Sequence, residues 1–310
     1  MKRYLAVRLL QSLVVILLVS VGTFGMMHLV PGDPVHLLLG ESGAFVTTEV
    51  LENIRAHWGL HRPWYEQFLT WFGNMLRGDM GQSMVRRGVP VSQMIREAAW
   101  VTLRLNVIAT ALAIAVALPL GIRAAVRRYT GFDYLMMVGA TLGIAVPNFW
   151  LSSMLIILFA LMLGWLPPFG LADWRGWLLP VVVLATEQTA LFARMMRAST
   201  IESLSEDYVR TARAKGLGER RVVYRHVLRN ALLPVVTVLG YRLAFILSGT
   251  IVVETVFALP GLGQLFFSSV IYLDYQVIQA IVLLFTVLVV IGNLVTDLTY
   301  ALIDPRIRVQ

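Results

Sequence analysis

Long runs without a charged residue constrain this chain more than any other feature. Residues 9–30, 105–122 and 276–296 carry no Asp, Glu, Lys or Arg, and residues 134–172 are uncharged for longer than one crossing requires. Because a helix needs roughly 20 apolar residues to cross a bilayer, each run predicts a membrane span. A membrane β-barrel would instead show short alternating segments, so the sequence predicts an all-α integral membrane protein.

Two further apolar stretches, 176–192 and 231–253, are each interrupted by a single charge. They bring the prediction to about six transmembrane helices, with a small helical extracytoplasmic segment after the first. The composition agrees, because only 14% of residues are charged and a soluble domain carries about a quarter. The chain has no cysteine, which excludes a disulfide framework and a thiolate metal site.

The basic residues are unevenly placed. They cluster before residue 9, at 123–128, between 194 and 229, and at 306–308, whereas the short loops near Trp174 and Asp274 hold only Arg175. The positive-inside rule therefore predicts that the clustered segments and both termini are cytoplasmic. We interpret the net charge of +8 as a topology signal and expect no nucleic-acid partner.

An aromatic stripe marks the segment after the first span. Its members recur at helical spacing and predict a helix that begins near Pro63; they are Trp64, Phe68, Trp71, Phe72 and Met75. Two environments stay open for the stripe, namely other external residues and the lipid interface. The predicted division of the chain is an N-terminal transmembrane anchor (1–30), an extracytoplasmic segment (31–98) and a five-helix core (99–310) that contains the cytoplasmic loop 200–233.

The cytoplasmic loop carries signals for a first short helix. Ser203 and Glu206 have the Ser-x-x-Glu spacing of a capping box, which predicts that the helix begins there. Gly216 is well placed as the residue just past the end of that helix.

A second helix is predicted at residues 219–229. Its arginines recur every four residues and form one basic stripe, while Val223 and Val227 lie on an adjoining face; they are Arg221, Arg225 and Arg229. Pro234 is expected to mark the start of the next span. From the residues alone, the loop is either a docking surface for a soluble partner or a solvated basic loop.

Seven sequence motifs follow one another along the chain. Those in the loop read EDYVRTARAKGL (206–217) and LRNALLP (228–234). The others are PGDP (31–34), GDMGQS (78–83), VPNFW (146–150), ETVFALPGLG (254–263) and DPRIR (304–308). Together they resemble the first (B-type) permease of the dipeptide/oligopeptide/nickel family of ABC importers, and the loop is similar to the EAA loop of that family.

The resemblance implies a machine of several subunits in the bacterial inner membrane. Such a permease pairs with a second homologous permease, two cytoplasmic ATPase subunits lie beneath them, and an extracytoplasmic substrate-binding protein delivers the cargo. In this family the EAA loop forms the coupling helix, which sits in a groove of the ATPase. That role is carried onto Asp207, Tyr208, Ala212, Ala214, Lys215, Gly216, Leu217, Arg229, Asn230 and Pro234.

Three ionisable side chains lie at predicted membrane depth, where such groups are functional candidates by default. They are Glu187, Arg242 and Glu254. Arg242 cannot be neutralised and needs water or an acidic partner. Glu187 is one candidate, and the second permease is another possible source. For these two residues a place on the translocation path and a structural ion pair both stay open. Glu254 lies near the external end of its span and is assigned to the gate.

No catalytic motif is found. A Walker A loop needs Gly-Lys-Ser/Thr, and neither Lys2 nor Lys215 stands in that context. We therefore expect a non-catalytic chain with no cofactor or metal of its own, and ATP and Mg on the partner ATPase subunits. Within the family the cargo stays open among dipeptides, oligopeptides, glutathione, nickel and metal chelates. A stand-alone secondary transporter is the alternative from another class.

Overall fold

A computed structural model of the chain describes residues 2–29, 48–57, 59, 61–244 and 250–303. Within these ranges the regular structure is helical, apart from an isolated β-bridge between Gln82 and Pro90. The α-helices are α1 (Lys2–Leu29), α2 (Thr48–His57), α3 (Trp64–Leu76), α4 (Val91–Val126), α5 (Gly131–Ala145), α6 (Asn148–Leu155), α7 (Leu178–Leu204), α8 (Asp207–Ala214), α9 (Glu219–Arg221), α10 (Leu228–Ala244), α11 (Ile251–Val256), α12 (Leu262–Ile271) and α13 (Tyr275–Ile303). The predicted all-α class is confirmed.

Five helical stretches among the described residues are long and apolar enough to cross a membrane. They are Val7–Met26, Val91–Val126, Trp174–Leu204, Glu219–Arg242 and Tyr275–Leu294. A sixth is obtained if Gly131–Ala145 and Asn148–Met162 count as one span. The predicted number of about six is therefore confirmed, although the third span is bent.

The bend in the third span has a local cause. Its two helices meet at an angle of 101°, on either side of Val146 and Pro147. The residue before a proline is disfavoured in the α region, and Val146 adopts an extended conformation with φ −76° and ψ 120°. The second half begins with α6 and continues as a π-helix, Ile156–Met162.

The chain forms two compact units, residues 1–100 with 261–310 and residues 101–260. In the first unit, α3 begins just after Pro63, as predicted. Phe68 and Trp71 are buried against Phe24 of α1, with ring centroids 5.5 and 5.8 Å from that ring. Phe68 and Trp71 of the aromatic stripe therefore pack on the first span, which is neither of the two environments left open from the sequence.

The second unit is built by close helix packing. Along α4, three fully buried alanines recur every four residues: Ala109, Ala113 and Ala117. Gly121 continues this row, and a Cβ placed on it would lie 2.7 Å from the Ala193 carbonyl oxygen of α7. Small residues let helix backbones approach closely, as is common inside membranes. The predicted division at residues 30 and 98 stays a prediction.

Candidate functional site

The first loop helix, α8, begins at Asp207 and not at Ser203. The predicted capping box is wrong, because α7 continues to Leu204 and buries Ser203 in its last turn. Glu206 is the N-cap residue, but its side chain makes no capping hydrogen bond. Its backbone carbonyl accepts instead from the Val209 and Arg210 N–H groups, at 3.0 and 3.4 Å.

The end of α8 matches the prediction. Lys215 is the C-cap residue, and Gly216 follows it with φ +78°. A glycine adopts this left-handed conformation without steric cost, so the chain turns sharply here. The Gly216 N–H donates to the Arg213 carbonyl at 2.9 Å, which closes the turn.

An ion pair across this turn was missed by the sequence reasoning. The Arg213 guanidinium donates to both carboxylate oxygens of Glu219, at 2.7 and 3.1 Å. The two-point hydrogen bond joins α8 to the start of α9 and raises the pKa of Arg213. Opposite charges six residues apart are a weak signal in sequence, because they pair only when a turn lies between them.

The loop has a buried inner face and an exposed outer face. Val209 and Ala212 are buried in the same hydrophobic cluster as Phe192 of α7. Of the residues assigned by resemblance to ATPase coupling, Ala212 is thus buried and Leu217 is half-buried. The others are exposed: Asp207, Tyr208, Ala214, Lys215, Gly216, Arg229, Asn230 and Pro234.

The second loop helix does not end before the next span. From Glu219 the chain runs through α9, a π-helical stretch (Val222–Val227) and α10 as one apolar helical stretch to Arg242. Pro234 lies inside α10, so the prediction that it marks the start of the span is wrong. Neighbouring helices can satisfy the backbone groups that a proline frees inside a membrane protein.

The predicted basic stripe is confirmed on this helix. Its three arginines are exposed, whereas Val223 and Val227 are buried; the arginines are Arg221, Arg225 and Arg229. Arg210 and Arg213 of α8 are exposed as well, so both loop helices present guanidinium groups. Guanidinium groups pair in two-point geometry with carboxylates, so the exposed side of the loop suits an acidic protein partner.

Glu187 and Arg242 meet between α7 and α10, so the contact of Arg242 is with the candidate from its own chain. The Arg242 Nη2 atom lies 3.4 Å from Glu187 Oε1, and the side chains remain 36% and 41% exposed. Asn148 at the start of α6 donates to the other Glu187 oxygen at 3.2 Å. Sequence reasoning missed Asn148, although a buried or half-buried amide within an uncharged run signals a polar partner.

Glu254 lies in the short helix α11 and is completely buried. Its Oε1 atom accepts from the hydroxyls of Thr102 and Thr250, each at 2.7 Å. These hydrogen bonds tie α11 to α4 within the second unit. The carboxylate is thus held inside the chain, in contrast to the half-exposed Glu187.

Two of the family-like motifs, 31–34 and 304–308, lie outside the described residues. The GDMGQS motif forms turns at Gly78 and Gly81, which have positive φ. From its last residue, Ser83, the hydroxyl donates to the buried Asp274 carboxylate, and the Met84 N–H donates to the same group at 3.1 Å. Among the described residues, no three His, Cys, Asp or Glu side chains lie together as a metal site.

Comparison with known proteins covers nearly the whole chain. The family described as "Binding-protein-dependent transport system inner membrane component" matches residues 117–309, and its N-terminal counterpart matches residues 1–113. The glutathione transport system permease protein GsiC of Escherichia coli (strain K12) is 44% identical over 308 residues, with 99% of each chain covered. The oligopeptide transport system permease protein AppB of Bacillus subtilis (strain 168) is 39% identical, covering 99% of this chain and all of its own.

Solved structures share the fold at lower sequence identity. A chain of the MetNI methionine ABC transporter in an inward-facing conformation superposes with a TM-score of 0.55 at 19% identity, over 68% of this chain and 97% of that one. A chain of an amino acid ABC transporter crystallised with histidines gives a TM-score of 0.52 at 15% identity, over 67% and 93%. From the family match and the full-length relatives, the chain belongs to the inner membrane components of binding-protein-dependent transport systems.

Proposed function

We propose that the chain is one permease subunit of a binding-protein-dependent ABC importer and forms half of its translocation pathway. Family membership over both parts of the chain is the observation that carries this proposal. The other half comes from a second homologous permease in the bacterial inner membrane. The positive-inside pattern supports cytoplasmic termini and a cytoplasmic α8–α9 loop.

The proposed cargo is a peptide. The full-length relatives are named for oligopeptide and for glutathione transport, and glutathione is itself a tripeptide. The identities of 39% and 44% do not separate these two cargoes, and a substrate-binding protein outside the membrane selects between them. Nickel and metal chelates remain alternatives of the wider family, without support from these relatives.

The α8–α9 loop is the proposed coupling element. Its buried face is anchored in the hydrophobic cluster of the second unit, and its exposed face presents Asp207, Tyr208 and Lys215. Two ATPase subunits bind this face, carry ATP and Mg, and drive the permeases through it. The chain itself is non-catalytic. Acidic side chains of the ATPase groove pair with the arginines of the loop.

Glu187 and Arg242 are proposed to line the pathway, because both combine charge, membrane depth and partial exposure. Glu254 has a different role in the gate. It is buried and hydrogen-bonded to Thr102 and Thr250, so it acts as a positioning residue that holds α11.

Purification of the tagged chain in mild detergent tests the proposed function. We expect a second permease and ATPase subunits to co-purify, with ATP-dependent peptide uptake after reconstitution with the binding protein. Substitution of Gly216 by a bulky residue is expected to reduce uptake while the subunits remain assembled in the membrane. Recovery of the chain alone, with unaided transport in liposomes, would instead identify a secondary transporter.

A further inference from the structure

Two ion pairs of the second unit differ in the number and length of their hydrogen bonds and in the exposure of their side chains. Arg197 donates to both oxygens of Asp133, with the second bond at 2.7 Å, and the Asp133 side chain is only 2% exposed. Arg242 and Glu187 share a single contact of 3.4 Å, and both side chains are more than one-third exposed. The first geometry is that of a structural link between helices. The second leaves hydrogen-bonding capacity on both partners.

The guanidinium of Arg242 lies at the depth of Glu187, because the two side chains are in contact. Glu187 is near the middle of the apolar stretch Trp174–Leu204, and Arg242 is the last residue of Glu219–Arg242. Charges at this depth are costly unless they are paired or hydrated, and an arginine cannot shed its charge. A molecule that separates the two side chains and displaces water from them must therefore offer a cation to Glu187 and an anion to Arg242.

Asn148 keeps one partner in place. Its amide donates to Glu187 Oε2 at 3.2 Å, while Oε1 faces Arg242. The Asn148 amide thus holds Oε2 in place. Oε1 is the oxygen at which a ligand cation can replace Arg242. Loss of the Arg242 contact leaves Glu187 oriented for another donor.

We propose that Glu187 and Arg242 form a binding site for the ammonium and carboxylate groups of a zwitterionic peptide on its way through the membrane. This inference rests on the proposed function. A zwitterion replaces one ion pair by two and adds no net charge to a region of low dielectric constant. A singly charged cation or anion would leave an excess charge, and the Arg242 guanidinium repels a metal cation.

Two peptide classes carry this chemistry. A linear peptide has its ammonium and carboxylate at opposite ends, so the two side chains must part to reach both. A γ-glutamyl peptide carries both groups on one carbon and fits between partners that stay close together. Its additional C-terminal carboxylate lies outside the pair and stays hydrated, so the part of the ligand between Glu187 and Arg242 is still neutral. The 3.4 Å contact requires the smaller movement for the second class, and the experiment below compares the two.

The absence of cysteine from the chain permits a clean protection assay. Val238 lies on α10 one turn before Arg242 and is half-buried. A Val238→Cys variant is purified with its partner subunits, reconstituted in lipid nanodiscs and labelled with N-ethylmaleimide. Labelling is carried out on the assembled complex at increasing concentrations of triglycine or S-methylglutathione. The subunits are then separated, and the label on this chain gives its labelling rate. N-acetyl-triglycine, triglycine amide and the doubly blocked form are the comparison ligands.

We expect the zwitterions to slow labelling. Blocking either terminus should raise the ligand concentration that halves the labelling rate about tenfold, which corresponds to the loss of one charge-assisted hydrogen bond. Glu187→Gln should remove the preference for a free ammonium, and Arg242→Gln the preference for a free carboxylate. Tighter protection by S-methylglutathione identifies the γ-glutamyl class, and tighter protection by triglycine identifies linear peptides.

Thr110→Val is the matched control. It removes a neutral hydrogen bond of 2.9 Å to Gln188, the residue next to Glu187 on α7. Its charge preferences should equal those of the Val238→Cys parent, because a general loosening of α7 acts on all ligands alike. If both glutamine variants fail to assemble, the ligand series on the parent decides the question.

Three results would overturn the inference: equal protection by the doubly blocked peptide, no protection by any zwitterion, or unchanged preferences in both glutamine variants. Each is distinguishable from failure of the proposed function. In the latter case ATPase subunits do not co-purify and uptake does not depend on ATP. A complex that imports peptide with ATP but shows no charge-dependent protection refutes this site alone.

Discussion

The Arg213 guanidinium reaches across the Gly216 turn to Glu219 and makes two hydrogen bonds with its carboxylate, at 2.7 and 3.1 Å. Both side chains are about half exposed, so this pair contributes little to global stability, about 0.5 kcal/mol. Its effect is local, because it fixes the direction in which the chain leaves α8.

Removal of the Arg213–Glu219 ion pair should loosen the loop without unfolding the protein. In Arg213→Gln we expect faster hydrogen exchange at the Leu217 N–H, which donates to the Ala212 carbonyl at 3.4 Å, and weaker coupling of ATP hydrolysis to uptake. The control is Arg210→Gln on the same helix, whose contact with Asp207 is exposed and 3.5 Å long. Equal hydrogen-exchange rates in the two variants would contradict the role of the Arg213–Glu219 ion pair in ordering the loop.

Gly216 should tolerate few substitutions. Its φ of +78° is unfavourable for other residues, although a Cβ there would meet no atom within 4 Å. Gly216→Val is therefore expected to cost about 1–2 kcal/mol in backbone conformation alone and to reduce uptake. Gly216→Asn should retain more activity, because asparagine enters this region more readily.

The neighbouring glycine supplies the control for that experiment. Gly218 has φ −64°, and a Cβ on it would likewise meet no atom within 4 Å, so Gly218→Ala should leave thermal stability and uptake unchanged. A Gly218→Ala defect as large as that of Gly216→Val would show that the loop responds to added bulk and not to backbone conformation.

Asp133 should be important for stability and not for cargo. Asp133→Asn leaves the Arg197 charge without its two-point partner in a mostly buried position, which costs about 3–5 kcal/mol. Thermal unfolding of the detergent-solubilised complex, followed by size-exclusion chromatography, measures the loss. Arg194→Gln on the exposed side of the same helix is the control and should unfold at the parent temperature.

Close packing of α4 on α7 gives a fourth prediction. A methyl group on Gly121 would lie 2.7 Å from both the Ala193 carbonyl oxygen and the Met196 Cβ. Gly121→Ala is therefore expected to destabilise the protein by about 1–3 kcal/mol through overpacking. Gly139→Ala on α5, where a Cβ meets nothing within 4 Å, should be neutral in the same thermal assay.

The spans could be predicted from sequence because the absence of charge over a long run is a strong local signal. The same reasoning named Glu187 as one candidate partner of Arg242, since a charge at membrane depth needs a partner, but it did not exclude a partner from the second permease. The Asp133–Arg197 pair could not be predicted in this way. Its members lie 64 positions apart, and one of several arginines had to be chosen.

Two local signals were outweighed by helix continuation. The capping-box pattern at Ser203 had no effect, because α7 continues past it and buries the serine. Pro234 did not begin a helix, because the helical stretch was already formed from Glu219 onward. In both places a backbone that can extend an existing hydrogen-bonded ladder does so before it starts a new one.

The burial of Val209 and Ala212 with Phe192 in one hydrophobic cluster has a mechanical consequence. A force applied to the exposed side of α8 acts at once on α7, since two residues, Ser205 and Glu206, separate the helices. Packed side chains resist compression, so little of a displacement of α8 would be lost in deforming the contact between α8 and α7. As the proposed coupling element, the loop would therefore act as a stiff connection and not as a tether, and a displacement of its outer face would be passed on to the membrane helices.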